Sequence, residues 1–232
     1  MPSMNISAIR MAIPGLALFA ALLMARSSSA AAAAGEQPVV LSDHEEQLAM
    51  QINFDRDILK IVKQETAVPV HRLTGYDELG YQIMVNGLSV QVPHSRSELV
   101  RKTLKSRLAP FSCLVFFAEM DERIKRDRIG IIKGRDQFNI LQIMQTNGDE
   151  DDVTHDELVE QLKEWDRLSP FEIIGAEYDW VELEFTVLPK DLAAFADEVY
   201  DFSPDTVDEG TGTLKDLILE LRKTRRLVLL WN

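Results

Sequence analysis

Along VELEFT, apolar Val181, Leu183 and Phe185 alternate with polar Glu182, Glu184 and Thr186, the period-two pattern of a strand with one face on a core. With FEIIGA before it, the stretch Phe171 to Pro189 predicts a hairpin that turns near Tyr178-Asp179, its Trp180, Glu182 and Glu184 face meeting water. YQIMVNGLSVQV, Tyr81 to Val92, predicts another hairpin, because Asn86 and Gly87 both tolerate the positive φ that a type I′ turn requires. FSCLVFFAEM and RIGIIKG read as strands. The terminal RRLVLLWN is a continuous apolar run, which predicts a central strand.

Between these runs the period lengthens to that of helices. DRDILKIVKQET places Ile58, Leu59, Ile61 and Val62 on one broad face. Ser95 and Glu98 have capping-box spacing ahead of Leu99, Leu104 and Leu108, so a helix is expected from there to Pro110. DQFNILQIMQ is apolar enough for a core helix, and Asn147-Gly148 suits its end, with glycine as the left-handed residue. Thr154 and Glu157 repeat the capping box before Leu158, Leu162 and Trp165. Leu192, Phe195, Ala196 and Val199 form a stripe after Pro189; SPDTVDEGTG reads as a loop; Leu214, Leu217, Ile218 and Leu221 define a last helix, capped by Thr211 or Thr213. Strand pairs joined by short turns predict an α+β fold, a mainly antiparallel sheet with helices packed on it, as a single domain over residues 41–232.

The first forty residues follow a different rule. Arg10 precedes the apolar run Met11 to Ala25, and Ser28, Ser29 and Ala30 have the small side chains of a cleavage site, so residues 1–30 read as a secretory signal and 31–40 as a flexible leader. Export to the periplasm or beyond is expected. The run is short of the roughly 20 apolar residues that span a bilayer and contains Pro14, so no stable membrane span is expected after cleavage. The remaining chain carries 23 Lys and Arg against 38 Asp and Glu, a net −15. Phosphate repulsion over such a surface excludes a nucleic-acid partner. Arg96 to Arg135 is rich in cations and Glu177 to Glu209 in carboxylates. The expectation is that these segments meet in the fold and neutralise each other.

Catalytic patterns are missing: the four histidines are far apart, HEEQL at His44 lacks a second histidine, and neither a GxSxG nor a GxxxxGK motif occurs. No catalytic residue, metal site or cofactor is expected. The acid-rich stretch NGDEDDVTHDEL around His155 reads as a charged helix start, since Ile143 and Gln145 stand where a calcium loop needs its first ligands. Lone Cys113 reads as a buried thiol. Two constellations remain as binding candidates. Lys133 and Arg135 flank Gly134 between a strand and a helix start, where exposed amides and two cations suit a carboxylate or phosphate. Asp179, Trp180, Glu182 and Glu184 set paired carboxylates beside an aromatic surface, a composition for a cation, a sugar or a protein partner.

IIKGRDQFNILQIMQTNG, SPFEIIGAEYDWVELEFTVLP and FADEVYDFSPDTVDEGTGTLKDLILELRKTRRLVLLWN, in that order, closely resemble a bacterial domain family of unknown function, DUF4253, over Ile131 to Asn232. The resemblance implies a bacterial source and a compact C-terminal unit; it brings no activity or cofactor. The chain ends Leu230-Trp231-Asn232, where that family tends to finish on aromatic residues and an aspartate. The function expected is an exported, non-enzymatic binding or protein-interaction domain for a protein partner or a small ligand. The alternatives are a cell-envelope hydrolase working through the paired carboxylates and a toxin-immunity protein.

Overall fold

A computed structural model describes residues 39–121, 123–148 and 153–231. The expected signal and most of the leader lie outside the described residues, as do Asp149 to Asp152 of the acid-rich stretch. In chain order the elements are α1 (Asp43–Gln51), α2 (Arg56–Thr66), β1 (His71–Tyr76), β2 (Gln82–Pro93), α3 (His94–Leu108), β3 (Cys113–Asp121) and β4 (Arg126–Lys133). Then come α4 (Asn139–Met144), α5 (His155–Leu168), β5 (Phe171–Ala176), β6 (Trp180–Phe185), α6 (Leu192–Phe202), α7 (Leu214–Thr224) and β7 (Arg226–Leu230). The strands form one sheet in the order β1-β2-β4-β3-β5-β6-β7, in which every neighbouring pair is antiparallel except β3 with β5. The fold is α+β.

Each face of the sheet has its own core. Val90, Val115, Phe117, Ile129 and Ile131 pack with Leu59 and Val62 of α2 and Val100, Leu104 and Leu108 of α3. On the opposite face Val181, Leu183, Phe185, Leu227 and Leu229 pack with Leu158, Leu162 and Trp165 of α5, Phe195 and Val199 of α6, and Leu217 and Leu221 of α7. The aromatic rings there meet edge to face, Trp165 on Phe195 at 5.0 Å and Phe171 on Phe185 at 5.5 Å between centroids, which suits their quadrupoles. Local signals hold where they were strongest: Asp55, Thr154 and Thr213 cap α2, α5 and α7, and Thr154 with Glu157 forms the full capping box.

Several expectations are overturned. Asn86-Gly87 makes no turn; β2 runs straight through it, and the hairpin is β1–β2, closed at Asp77 to Gly80. Gly87 is required by crowding instead, since a Cβ there would lie 2.8 Å from Leu73 Cδ2 and 3.0 Å from Ile132 Cγ2. The left-handed residue after α4 is Gln145 (φ 50°), while Gly148 lies against the Trp231 indole, 2.6 Å from where its Cβ would stand. β7 is an edge strand. Its outer edge is blunted by the segment after α6, with Ser203 Oγ donating to Leu230 O and Leu230 N donating to Thr206 Oγ1. Residues 206–211 of the expected loop form a π-helical turn.

The Ser95–Glu98 box is absent as well. α3 begins two residues earlier than that cap implies, at His94, and its first turn is held by buried Asp127 of β4, which accepts from Ser97 Oγ and bonds the His94 ring. The helix packs through Val100, Leu104 and Leu108, which leaves Leu99 70% exposed and Arg101 only 1%. Elements α1 and β1 were not foreseen. Glu45 ties them to α2: its carboxylate accepts from Ser42 N at 2.7 Å, from Lys63 Nζ at 2.5 Å and from Val70 N at 3.3 Å. Burial alone would raise the Glu45 pKa, but these donors together outweigh it and hold it down at about 2.

Candidate functional site

α3 packs over β3 and β4, and its side chains reach Glu172 of β5 and Glu184 of β6, so the β6 face expected to meet water does so only in part: Glu182 is buried and Glu184 is half-buried. Arg101 points down from α3, its guanidinium 3.3 Å from Glu172 of β5 and 3.7 Å from Glu184 of β6, and 5.5 Å over the Phe117 ring. Arg226 of β7 faces Glu98 at 2.6 Å, Glu182 at 3.3 Å and Glu184 at 3.6 Å. Lys102 and Lys105 add pairs to Glu98 and Glu172. The cations of α3 thus pair with carboxylates of β5 and β6, but among the described ion pairs only Arg101–Glu184 joins the two segments that the sequence set against each other.

This cluster is closed only at its centre, where Arg101 and Glu182 are buried; Glu98, Glu172 and Glu184 keep about a third of their side chains exposed. Glu182 is 7% exposed, and burial pushes its carboxyl pKa up against the pull of Arg226 and Arg101. Glu98 goes the other way: burial would raise it, but Lys102, Arg101 and Arg226 hold it down at about 2. Glu98 Oε2 and Arg101 Nε are buried with no hydrogen-bond partner among the described residues. A carboxyl with a raised pKa is a recognised mark of acid–base chemistry, yet that inference needs a cleft beside it. Neither Glu182 nor Glu184 lines the cleft described next.

The open site lies one strand over. The parallel pair β3–β5 is registered at one position, Phe117 opposite Gly175. Toward the start of β5 the side chain of Gln137 takes the place of a neighbouring strand: its Oε1 accepts from Ile173 N at 2.8 Å and its Nε2 donates to Phe171 O at 3.2 Å. The amide satisfies backbone groups that a parted sheet would leave bare, so the strands stay apart at low cost. A cleft of about 360 Å³ opens there, within the range of small-ligand sites. Its apolar wall includes Leu114, Val115, Phe138, Ile140 and Ile173. Its polar groups are Lys105, Arg135, Asp136, Asp166 and Glu172, with the Cys113 thiol, whose pKa burial raises.

The two candidate constellations fare differently. Arg135 lines the cleft, its Nε donating to Ser112 Oγ at 3.0 Å. Lys133, two residues back, points elsewhere; it bonds Asn53 O and lies 5.1 Å over the Phe54 ring. Among the other four, Asp179 is exposed at the β5–β6 turn, and its carbonyl accepts from Trp231 N. Trp180 is half-buried and donates to Glu177 Oε2 at 3.1 Å, the carboxylate that also receives the Tyr76 hydroxyl on its other oxygen. Glu182 and Glu184 belong to the closed cluster. Gln137, Lys105, Asp166 and Glu172 were not among the candidates. Glu172 alone carried a signal, as a charge inside the apolar run FEII; a glutamine that completes a distant strand carries none.

Among the described residues, no group of three or more His, Cys, Asp or Glu is placed to hold a metal ion, and no helix is long and apolar enough to cross a membrane. Residues 128–232 match the model of a family described as a domain of unknown function, DUF4253, the same family that the sequence resembles. The matched region runs from β4 to β7 and includes Arg135, Gln137, Asp166 and Glu172; α3, with Arg101 and Lys105, precedes it. No curated protein and no solved structure matches the chain.

Proposed function

We propose that this chain is an exported, non-enzymatic binding protein that takes a small polar ligand in the β3–β5 cleft. The observation that carries the reading is Gln137: its amide keeps Phe171 O and Ile173 N bonded at the place where the sheet parts, so the opening is a fully satisfied feature of the fold. The mixture of apolar wall and a few convergent polar groups has the make-up of a ligand pocket. The arginines facing Glu182 and Glu184 support a structural role for that pair over the acid–base role that the hydrolase alternative would give it. Export rests on Arg10, the Met11 to Ala25 run and the small residues before Ala30.

Two measurements test this. Fractionation of cells expressing the tagged chain should place it outside the cytoplasm, with an intact mass that corresponds to cleavage near Ala30; an uncleaved cytoplasmic product contradicts export. Thermal-shift screening against small-molecule extracts should give fractions that raise Tm for the natural protein and not for Arg135→Gln. Equal shifts in both would move the ligand out of the cleft.

A further inference from the structure

On the reading that the cleft is a ligand site, we infer that its ligand is a small zwitterion of the amino-acid class, with the carboxylate on Arg135, the ammonium on Asp136 and Asp166, and an apolar side chain on the Leu114–Phe138 wall. Arg135 meets no carboxylate among the described residues; its one polar contact is Ser112 Oγ, itself neutral. A planar guanidinium left in this state matches a carboxylate in two-point fashion. Asp136 and Asp166 each use one oxygen on a backbone amide, Oδ1 to Phe138 N and Oδ1 to Phe171 N, both at 3.0 Å. These bonds fix the two carboxylates at the cleft and leave their second oxygens to accept from a cation.

The charge balance then selects between ligand types. Glu172 is held by Arg101 at 3.3 Å from inside the closed cluster and by Lys105 from the cleft side. The lining itself holds Lys105 and Arg135 against Asp136, Asp166 and Glu172; with Glu172 answered by Lys105 and Arg101, Arg135 stands opposite Asp136 and Asp166. A site that offers a free cation and anchored carboxylates favours a ligand that carries both charges. A phosphate would bring two negative charges to one unpaired cation, because Lys133 is turned away to Asn53. A simple amine would leave Arg135 uncompensated.

The test is calorimetric titration of the purified protein with leucine, N-acetyl-leucine, leucinamide, isocaproate and inorganic phosphate. Leucine should bind at least ten-fold tighter than each of the other four. Arg135→Gln should weaken leucine ten-fold or more and leucinamide little, and Asp136→Asn should weaken leucine while leaving N-acetyl-leucine unchanged; the asparagine keeps the Oδ1 acceptor for Phe138 N, so the fold is preserved. Isocaproate or phosphate binding as tightly as leucine overturns the zwitterion and keeps the cleft as an anion site. If no amino acid binds while another molecule from an extract does, with loss in Arg135→Gln, the ligand class is wrong and the binding function stands. If neither an amino acid nor an extract component binds, both fail.

Discussion

The closed cluster under α3 and the cleft beside it are built from the same residue types and share Glu172, yet they invite opposite chemistry. In the cluster each carboxylate of β6 meets an arginine. In the cleft Asp136 and Asp166 are fixed by backbone amides and Arg135 has no carboxylate partner among the described residues. Charge density alone therefore says little about where a protein binds. What separates the two regions is whether each charge has already been answered from within the fold.

The strongest way to break this comparison is at Arg101. Arg101→Glu should remove about 3 to 5 kcal/mol in chemical denaturation, because it sets an uncompensated buried carboxylate against Glu172 and Glu184. A loss below about 1 kcal/mol would mean that the cluster is wet and open, like the cleft.

Glu45 offers the next largest effect, far from both regions. Its folded pKa of about 2 lies below the ordinary 4.5, so its contribution is present above pH 4.5 and is lost as pH falls toward 2. The shift corresponds to on the order of 3 kcal/mol. Glu45→Gln should therefore be less stable at neutral pH and show a flatter acid limb between about pH 4.5 and 2; an identical limb would assign acid unfolding to other groups.

Gln137→Ala sharpens the comparison from the cleft side. It strips the partners from Phe171 O and Ile173 N, which should cost about 1 to 3 kcal/mol and reduce ligand binding together. Unchanged stability would mean that the strands close or that water replaces the amide, and the cleft would lose its claim to be built. At the small end, Asp179→Asn should stay within about 0.5 kcal/mol of the natural protein and leave binding intact, since its side chain is exposed at a turn.

How much of this was legible in the sequence follows the range of the interactions. Caps at Thr154 and Thr213 and the inward face of Val181, Leu183 and Phe185 are set within a few residues, and both were readable. Asn86-Gly87 carried a genuine turn signal, but glycine also serves where Leu73 and Ile132 crowd a strand, and only neighbours remote in sequence decide between the two uses. The end of the chain read as central because it is apolar, whereas Ser203 and Thr206 close its free edge without another strand. Candidate residues suffered most. Lys133 and Arg135 look alike in sequence, and their separation depends on Asn53 and Ser112, some 80 and 23 positions away. Glu182 and Glu184 looked solvated because nothing local announces Arg226 and, from α3, Arg101 beside them.

Amide chemical-shift mapping on the labelled protein tests the central claim most directly. On titration with small-molecule extract or leucine, shifts should concentrate at Leu114, Arg135, Phe138 and Ile173, around the cleft, and leave Trp180, Glu182 and Val228 of the closed side still. Saturable shifts centred on Trp180 and Glu182, with the cleft amides unmoved, would contradict the account.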